Sequence, residues 1–287
     1  MPYNKTITRE RPGCIIVLID QSGSMGGPFG GDPRFRKCEV AADSINKLLN
    51  TLLTDCQRFS EGTNKSEIRH YFDVGVIGYG GRDGVGPAFT HPQLSGRDLI
   101  PIPEIADNAD IEQRQRSIPD GAGGFVQENI ECPYWLKPVT HNGTPLCEVL
   151  QMTKRILTDW ISKHMESFPP IVFNITDGEV TDGTIQEMIN SGNAIKALST
   201  NDGNVLLFNV HISSSNVHGI LFPKSAREIP SDEYSQALFE ISSPLTDFMI
   251  DNSKRTSENF HALKHGCKGC GFNVDLDVFL KVMIINR

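Results

Sequence analysis

The sequence predicts an α/β protein: a single doubly wound, Rossmann-like domain whose central sheet has about six mostly parallel strands, with helices on both faces. Three observations point there. Short β-branched runs such as Cys14-Ile-Ile-Val-Leu-Ile19 alternate with longer segments of helical periodicity. These runs are apolar without a polar face, as strands covered on both sides must be. Oxygen-bearing residues stand directly after several of them, where open α/β sheets bind their ligands.

The elements follow in order. Cys14–Ile19 is the first strand and ends at Asp20. After a Gly-rich turn, Asp32-Pro33 predicts an N-cap followed by proline at the first helical position. Ala41, Ile45, Leu48, Leu49 and Leu52 then carry a helix to about Cys56. Tyr71–Tyr79 predicts a second strand. Residues 80–137, with the turn signals Arg82-Asp83-Gly84 and Pro101-Ile-Pro103, predict an irregular Gly/Pro-rich insertion, either a decorated loop or a flap. Thr144-Pro145 opens a helix with one apolar stripe, Leu146, Val149, Leu150, Ile156, Leu157, Trp160 and Ile161, which Pro169-Pro170 stops. Ile171–Thr176 is a third strand. Thr184 and Glu187 form a capping box ahead of Ile185, Met188, Ile189 and Ile195. Val205–Ile212 predicts a fourth strand, Ala237–Ile241 a short fifth, and Leu276, Phe279, Leu280, Met283 and Ile284 a last helix. The expected core runs from about 14 to 285 of the 1–287 domain.

Composition removes several classes. The 287 residues are 22% charged and 38% apolar, which argues against a disordered or fibrous chain. The 27 basic against 35 acidic residues leave a net charge of −8, so no nucleic-acid partner is expected; no basic stretch is longer than Arg34-Phe35-Arg36-Lys37. No apolar run approaches the ~18 residues of a membrane span, so no membrane partner is expected. The start, MPYNKTITRERPG, does not read as a secretory signal. Seven scattered cysteines, an odd number, read as reduced thiols, and a cytoplasmic location is expected.

Three segments carry candidate chemistry: Asp20-Gln21-Ser22-Gly23-Ser24 after the first strand, Thr144 at a loop-to-helix junction, and Asp177 after the third strand. Positions 20, 22 and 24 alternate along an extended turn and can point to one side. Two carboxylates and three hydroxyls, with no thiolate or imidazole, suit a hard divalent cation, Mg²⁺ above all. Two carboxylates nearly neutralise a +2 ion. If the hydroxyls contact it and the carboxylates act through water, it stays electrophilic enough to attract an acidic group from a partner. Each residue also has a plain turn or capping role: an N-cap at Thr144 would occupy its hydroxyl. The combination carries the metal reading.

The set Asp20-x-Ser22-x-Ser24, Thr144 and Asp177 resembles the metal-ion-dependent adhesion site of von Willebrand factor A domains, over nearly the whole chain. Ile19-Asp-Gln-Ser-Gly-Ser-Met25, Asn142-Gly-Thr-Pro-Leu146 and Ile175-Thr-Asp-Gly-Glu-Val-Thr-Asp182 resemble the bacterial, cytoplasmic TerY-like group. The resemblance implies a non-enzymatic, protein-binding module working beside a PP2C-type phosphatase and a Ser/Thr kinase in stress or tellurite-resistance systems. It implies Mg²⁺, or Mn²⁺ or Ca²⁺, with Ser22, Ser24 and Thr144 as direct ligands and Asp20 and Asp177 acting mainly through water. A partner Asp or Glu would complete the metal shell. The insertion at 80–137 exceeds a minimal domain of this kind.

Other chemistries fit less well. A haloacid-dehalogenase-like phosphohydrolase, the enzymatic alternative, needs a second Asp two residues after the first, and position 22 is serine. A Ca²⁺ loop from Asp20 has Met25 and Gly31 where Gly and Glu belong. Ser22 and Ser24 lack the G-x-S-x-G setting, and neither Walker A nor H-E-x-x-H occurs. His261, His265, Cys267 and Cys270 lie within ten residues. They could hold structural Zn²⁺ or form a redox dithiol, but a lone C-x-x-C reads first as loop. His141 could border the main site, and Glu179 and Asp182 could rim it.

Overall fold

The computed structural model describes residues 2–59, 66–119, 124–141, 143–215, 218–256 and 263–283. Its central sheet has eight strands: β1 (Gly13–Asp20), β2 (Phe72–Gly81), β3 (Gly84–Pro87), β4 (Ile100–Pro101), β5 (Ile171–Thr176), β6 (Leu206–His211), β7 (Ile220–Leu221) and β8 (Cys270–Phe272). The order is β7-β8-β6-β5-β1-β2-β3, with β4 also paired to β2. The inner strands β8, β6, β5, β1 and β2 run parallel. The short β7, β3 and β4 pair antiparallel at the edges. The doubly wound α/β fold is therefore as predicted, with five parallel strands and three short edge strands where about six strands were expected.

Both faces of the sheet are covered, which explains the unbroken apolar runs. Ile15, Val17 and Ile19 of β1 point into a core built with α1 (Lys37–Cys56), α2 (Ile102–Asp107), α6 (Asp247–Thr256) and α7 (Leu276–Met283). Cys14, Ile16 and Leu18 point into the opposite core, with α3 (Leu146–Lys163), α4 (Ile185–Lys196) and α5 (Glu233–Ile241). Each such aliphatic side chain contributes about 1.5–3 kcal/mol on burial. The predicted stripe of α3 is buried at all seven positions. In α4 the capping box is present: Thr184 Oγ1 accepts from the Glu187 N–H, and Glu187 accepts from the Thr184 N–H.

Four expectations are corrected. Asp32-Pro33 does not start α1; Asp32–Arg36 is an edge strand paired with Pro28–Phe29, a place where proline is tolerated. Asp32 instead accepts from the Arg34 N–H (3.0 Å), and α1 begins at Lys37 because Glu39 accepts the Arg36 N–H (3.2 Å). Ala237–Ile241 is helical: Asp232 caps α5 by accepting from the Ser235 N–H (2.8 Å), and Tyr234, Ala237, Leu238 and Ile241 are buried at helical spacing. The fifth parallel strand is β8, so Cys270, read as loop, lies in the sheet. The insertion is more regular than expected. It supplies β3, β4 and α2, and pairs Asp110–Pro119 with Phe125–Tyr134 in a long hairpin. Ile284 and the end of the expected core lie outside the described residues.

The chain passes from β1 to β2 on one side and later reaches β5 on the other side of β1. The turns after β1 and β5 therefore diverge and leave a crevice at the carboxyl ends of these two strands.

Candidate metal centre

All five predicted oxygen donors meet at that crevice. Asp20 ends β1 and is fully buried. The Ser22 N–H donates to its Oδ1 (2.8 Å) and the Thr176 hydroxyl to its Oδ2 (2.9 Å). Ser22 and Ser24 flank Gly23 in a short 3₁₀ turn, Gly23–Gly26, pinned by the fully buried Met25. The two hydroxyls lie 2.9 Å apart. The Ser24 hydroxyl donates to Asp177 Oδ1 at 2.7 Å, and that of Ser22 to the same atom at 3.4 Å.

Thr144 comes from the opposite wall. A Cβ placed on Gly178 would lie 3.1 Å from Thr144 Oγ1, 3.6 Å from Ser24 Oγ and 3.9 Å from Asp20 Oδ2. The missing side chain of Gly178 thus leaves open the space that these oxygens line. Thr144 does not cap α3: the N-cap position is Pro145 and makes no side-chain bond. Asp182 does the work instead, accepting from the Cys147 N–H (3.1 Å) and the Glu148 N–H (2.8 Å). Thr181 staples the two loops, its hydroxyl oxygen accepting from the Thr144 N–H (2.7 Å) and its N–H donating to the Thr144 carbonyl (3.0 Å). Of the expected acidic rim, Asp182 is therefore a helix cap, and Glu179 is exposed.

Close backbone approach brings the loops together. Gly80 has φ +81°, and a Cβ there would meet the Gly143 carbonyl at 2.3 Å. His141 borders the centre through its main chain, donating its N–H to the Gln21 carbonyl at 2.7 Å; its side chain is exposed.

Burial governs the electrostatics. Loss of solvent pushes the Asp20 carboxyl up to about 6, against the lowering effect of the Ser22 and Thr176 hydrogen bonds. Beneath it, the Thr176 hydroxyl also meets Tyr234 Oη (3.1 Å), whose phenol burial pushes upward. Burial holds the nearby His211 imidazole below its usual value, favouring the neutral ring. Sequence reasoning missed Lys37. Its ammonium stands 2.5 Å from Asp177 Oδ2, with both side chains buried, but without the alignment of a hydrogen bond. The signal was available: Lys37, Ala41 and Ile45 share one helical stripe, and a lysine on a buried stripe needs a partner.

The donor set fits a hard cation. Hydroxyl and carboxylate oxygens converge: Asp177 Oδ1 meets the Ser22 and Ser24 hydroxyls, and the Thr144, Ser24 and Asp20 oxygens line the space beside Gly178. Among the described residues, no group of three or more His, Cys, Asp or Glu side chains is placed to hold a metal, and hydroxyls make up most of this set. Of the second cluster, His261 lies outside the described residues. His265 pairs with Asp247 at 2.8 Å, Cys267 and Cys270 are buried, and burial pushes the Cys270 thiol up to about 12. Among the described residues, no helix is long and apolar enough to cross a membrane.

No family model matches the chain, and no curated protein matches it. Among solved structures, it is similar to a von Willebrand factor type A protein from Catenulispora acidiphila, with 13% identity and a TM-score of 0.39 over 70% of this chain and 33% of that one. It is also similar to the manganese-loaded TRAP protein of Plasmodium vivax (16% identity, TM-score 0.36, 72% of this chain and 59% of that one). A third is the pilus adhesin of Streptococcus pneumoniae (12% identity, TM-score 0.28, 90% of this chain and 33% of that one). The chain spans from a third to under two thirds of the length of these proteins.

Proposed function

We propose that this chain is a metal-dependent protein-binding module of the von Willebrand factor A type, without catalysis of its own. Ser22, Ser24 and Thr144 would ligate Mg²⁺, or Mn²⁺ or Ca²⁺ in its place, with Asp20 and Asp177 acting mainly through water. Bound there, the ion would offer an electrophilic coordination place to an Asp or Glu carboxylate of a partner protein. One observation carries the reading: five oxygen donors from three distant segments converge at the crevice beside β1 and β5.

The residues divide the work. Asp20 and Asp177 bring the negative charge that a dication needs, and Thr176 and the Ser22 N–H orient Asp20. Asp182 satisfies the start of α3, so that role does not claim the Thr144 hydroxyl. No second carboxylate follows Asp20 at the position where a phosphohydrolase needs its acid, which favours binding over turnover. The TerY-like motifs support a cytoplasmic adaptor whose partner is a PP2C-type phosphatase or a Ser/Thr kinase of a stress or tellurite-resistance system.

The test is calorimetric titration of Mg²⁺ into the wild-type chain and into Asp20→Ala and Asp177→Ala. One ion should bind the wild type, and each variant should lose at least about tenfold in affinity while keeping its circular dichroism. Capture of the phosphatase or kinase should fall away with EDTA and with both substitutions. Unchanged Mg²⁺ uptake in the two variants, or steady metal-dependent phosphoester turnover by the pure protein, would sink the proposal.

A further inference from the structure

A simple cation site does not call for Lys37. This is the first residue of α1, and its side chain is only 5% exposed. Two effects oppose an ammonium there: the partial positive charge of the helix N-terminus and the loss of hydration. What holds it is Asp177, whose side chain is fully buried and whose Oδ2 lies 2.5 Å away. Among the described residues that oxygen accepts no hydrogen bond, whereas Oδ1 faces the hydroxyls of Ser22 and Ser24. One carboxylate is thus shared between an ammonium on one side and the candidate metal donors on the other.

Charge counting shows the consequence. The crevice gathers two carboxylates, Asp20 and Asp177, and one ammonium, which stands against Asp177. A divalent ion alone would neutralise the pair, but with Lys37 still in place the cluster would carry an excess positive charge in a buried setting. Like charges brought together there repel strongly. Resting on the metal-binding reading above, we propose that Lys37 is a built-in competitor for the cation. Its ammonium compensates Asp177 while no divalent ion is bound, and it must yield Asp177 when one enters. Lys37 therefore sets the divalent concentration at which the site fills.

Two variants and two readouts test this on the full chain. Lys37→Met keeps the length and removes the charge; Lys37→Gln also keeps a hydrogen-bond donor. In calorimetry with Mg²⁺ alone, both should bind about tenfold or more tightly than the wild type, a size typical of coupling between two ligands. In EDTA, both should melt below the wild type, because Asp177 is left buried without its cation, and saturating Mg²⁺ should close that gap. Should Lys37→Met fold only with Mg²⁺ present, that also supports competition. Equal or weaker Mg²⁺ affinity in both variants overturns the proposal, since Lys37 would then position Asp177 for the ion. Absence of Mg²⁺ uptake by wild type and variants alike overturns the metal reading itself, an outcome separate from this one.

Discussion

At the scale of single residues, the division between Thr144 and Asp182 decides whether the centre has a third hydroxyl to offer. Thr144 precedes Pro145 at a helix start, so its hydroxyl was as legible as a cap as it was as a ligand. Asp182 resolves this by accepting both the Cys147 and Glu148 N–H groups. The two residues should therefore separate cleanly under substitution. Asp182→Ala removes a cap and should cost about 1 kcal/mol in urea denaturation. Thr144→Val conserves volume and leaves the cap intact; it should weaken Mg²⁺ binding at least about tenfold with little loss of stability. The opposite pattern, with Thr144→Val destabilised and still binding, would show that the Thr144 hydroxyl is structural. Sequence spacing put Asp20, Ser22, Ser24, Thr144 and Asp177 after strands or before a helix, which is where the structure has them. Sequence could not reveal Lys37 as the partner of Asp177, since the two meet only when α1 packs against the end of β5.

At the scale of elements, the opposite end of the sheet carries a polar tie that no motif announced. Asp73, near the start of β2, accepts from Trp160 Nε1 of α3 (2.8 Å) and pairs with His70 Nε2 (2.7 Å). Burial alone would raise the Asp73 carboxyl, but these bonds outweigh it and the net shift is downward. The Asp73 bond raises His70. A histidine raised on folding adds stability that is fully present below its ordinary value near 6.5 and fades as pH climbs through the folded value. His70→Gln keeps a polar contact and removes the charge. It should thus destabilise more at pH 5.5 than at pH 8.5. His70 is 39% exposed, so solvent screening keeps the difference to about 0.5 kcal/mol or less. Equal losses at both pH values in urea denaturation would show that the charge plays no part.

At the scale of the whole molecule, the question is how the insertion at 80–137 is fastened to the body. Trp135 is buried at its far end, and its Nε1 donates to the Ile105 carbonyl (2.7 Å). Asn46 of α1 clamps the adjoining backbone, accepting from the Trp135 and Leu136 N–H groups (2.9 and 3.1 Å) and donating to the Leu136 carbonyl (3.0 Å). The Trp135 carbonyl in turn accepts from Thr90. Trp135→Ala should cost about 3–5 kcal/mol. Limited proteolysis should then cut between 80 and 137 before the central sheet. A digestion pattern identical to wild type would mean that the hairpin and edge strands are held by other contacts.

The sequence by itself determined the doubly wound sheet and the positions of Asp20, Ser22, Ser24, Thr144 and Asp177 at strand ends and a helix start, because those depend on local patterns: apolar runs, turn residues and helix starts. It misjudged Asp32-Pro33, Ala237–Ile241 and Cys270, where short segments of similar composition become edge strand, helix or inner strand according to what packs against them. Only the tertiary structure decided that Asp182, not Thr144, caps α3 and that Lys37 pairs with Asp177. Those outcomes depend on groups far apart in the chain being pressed together away from water, where one ammonium or one cap reassigns every neighbouring bond.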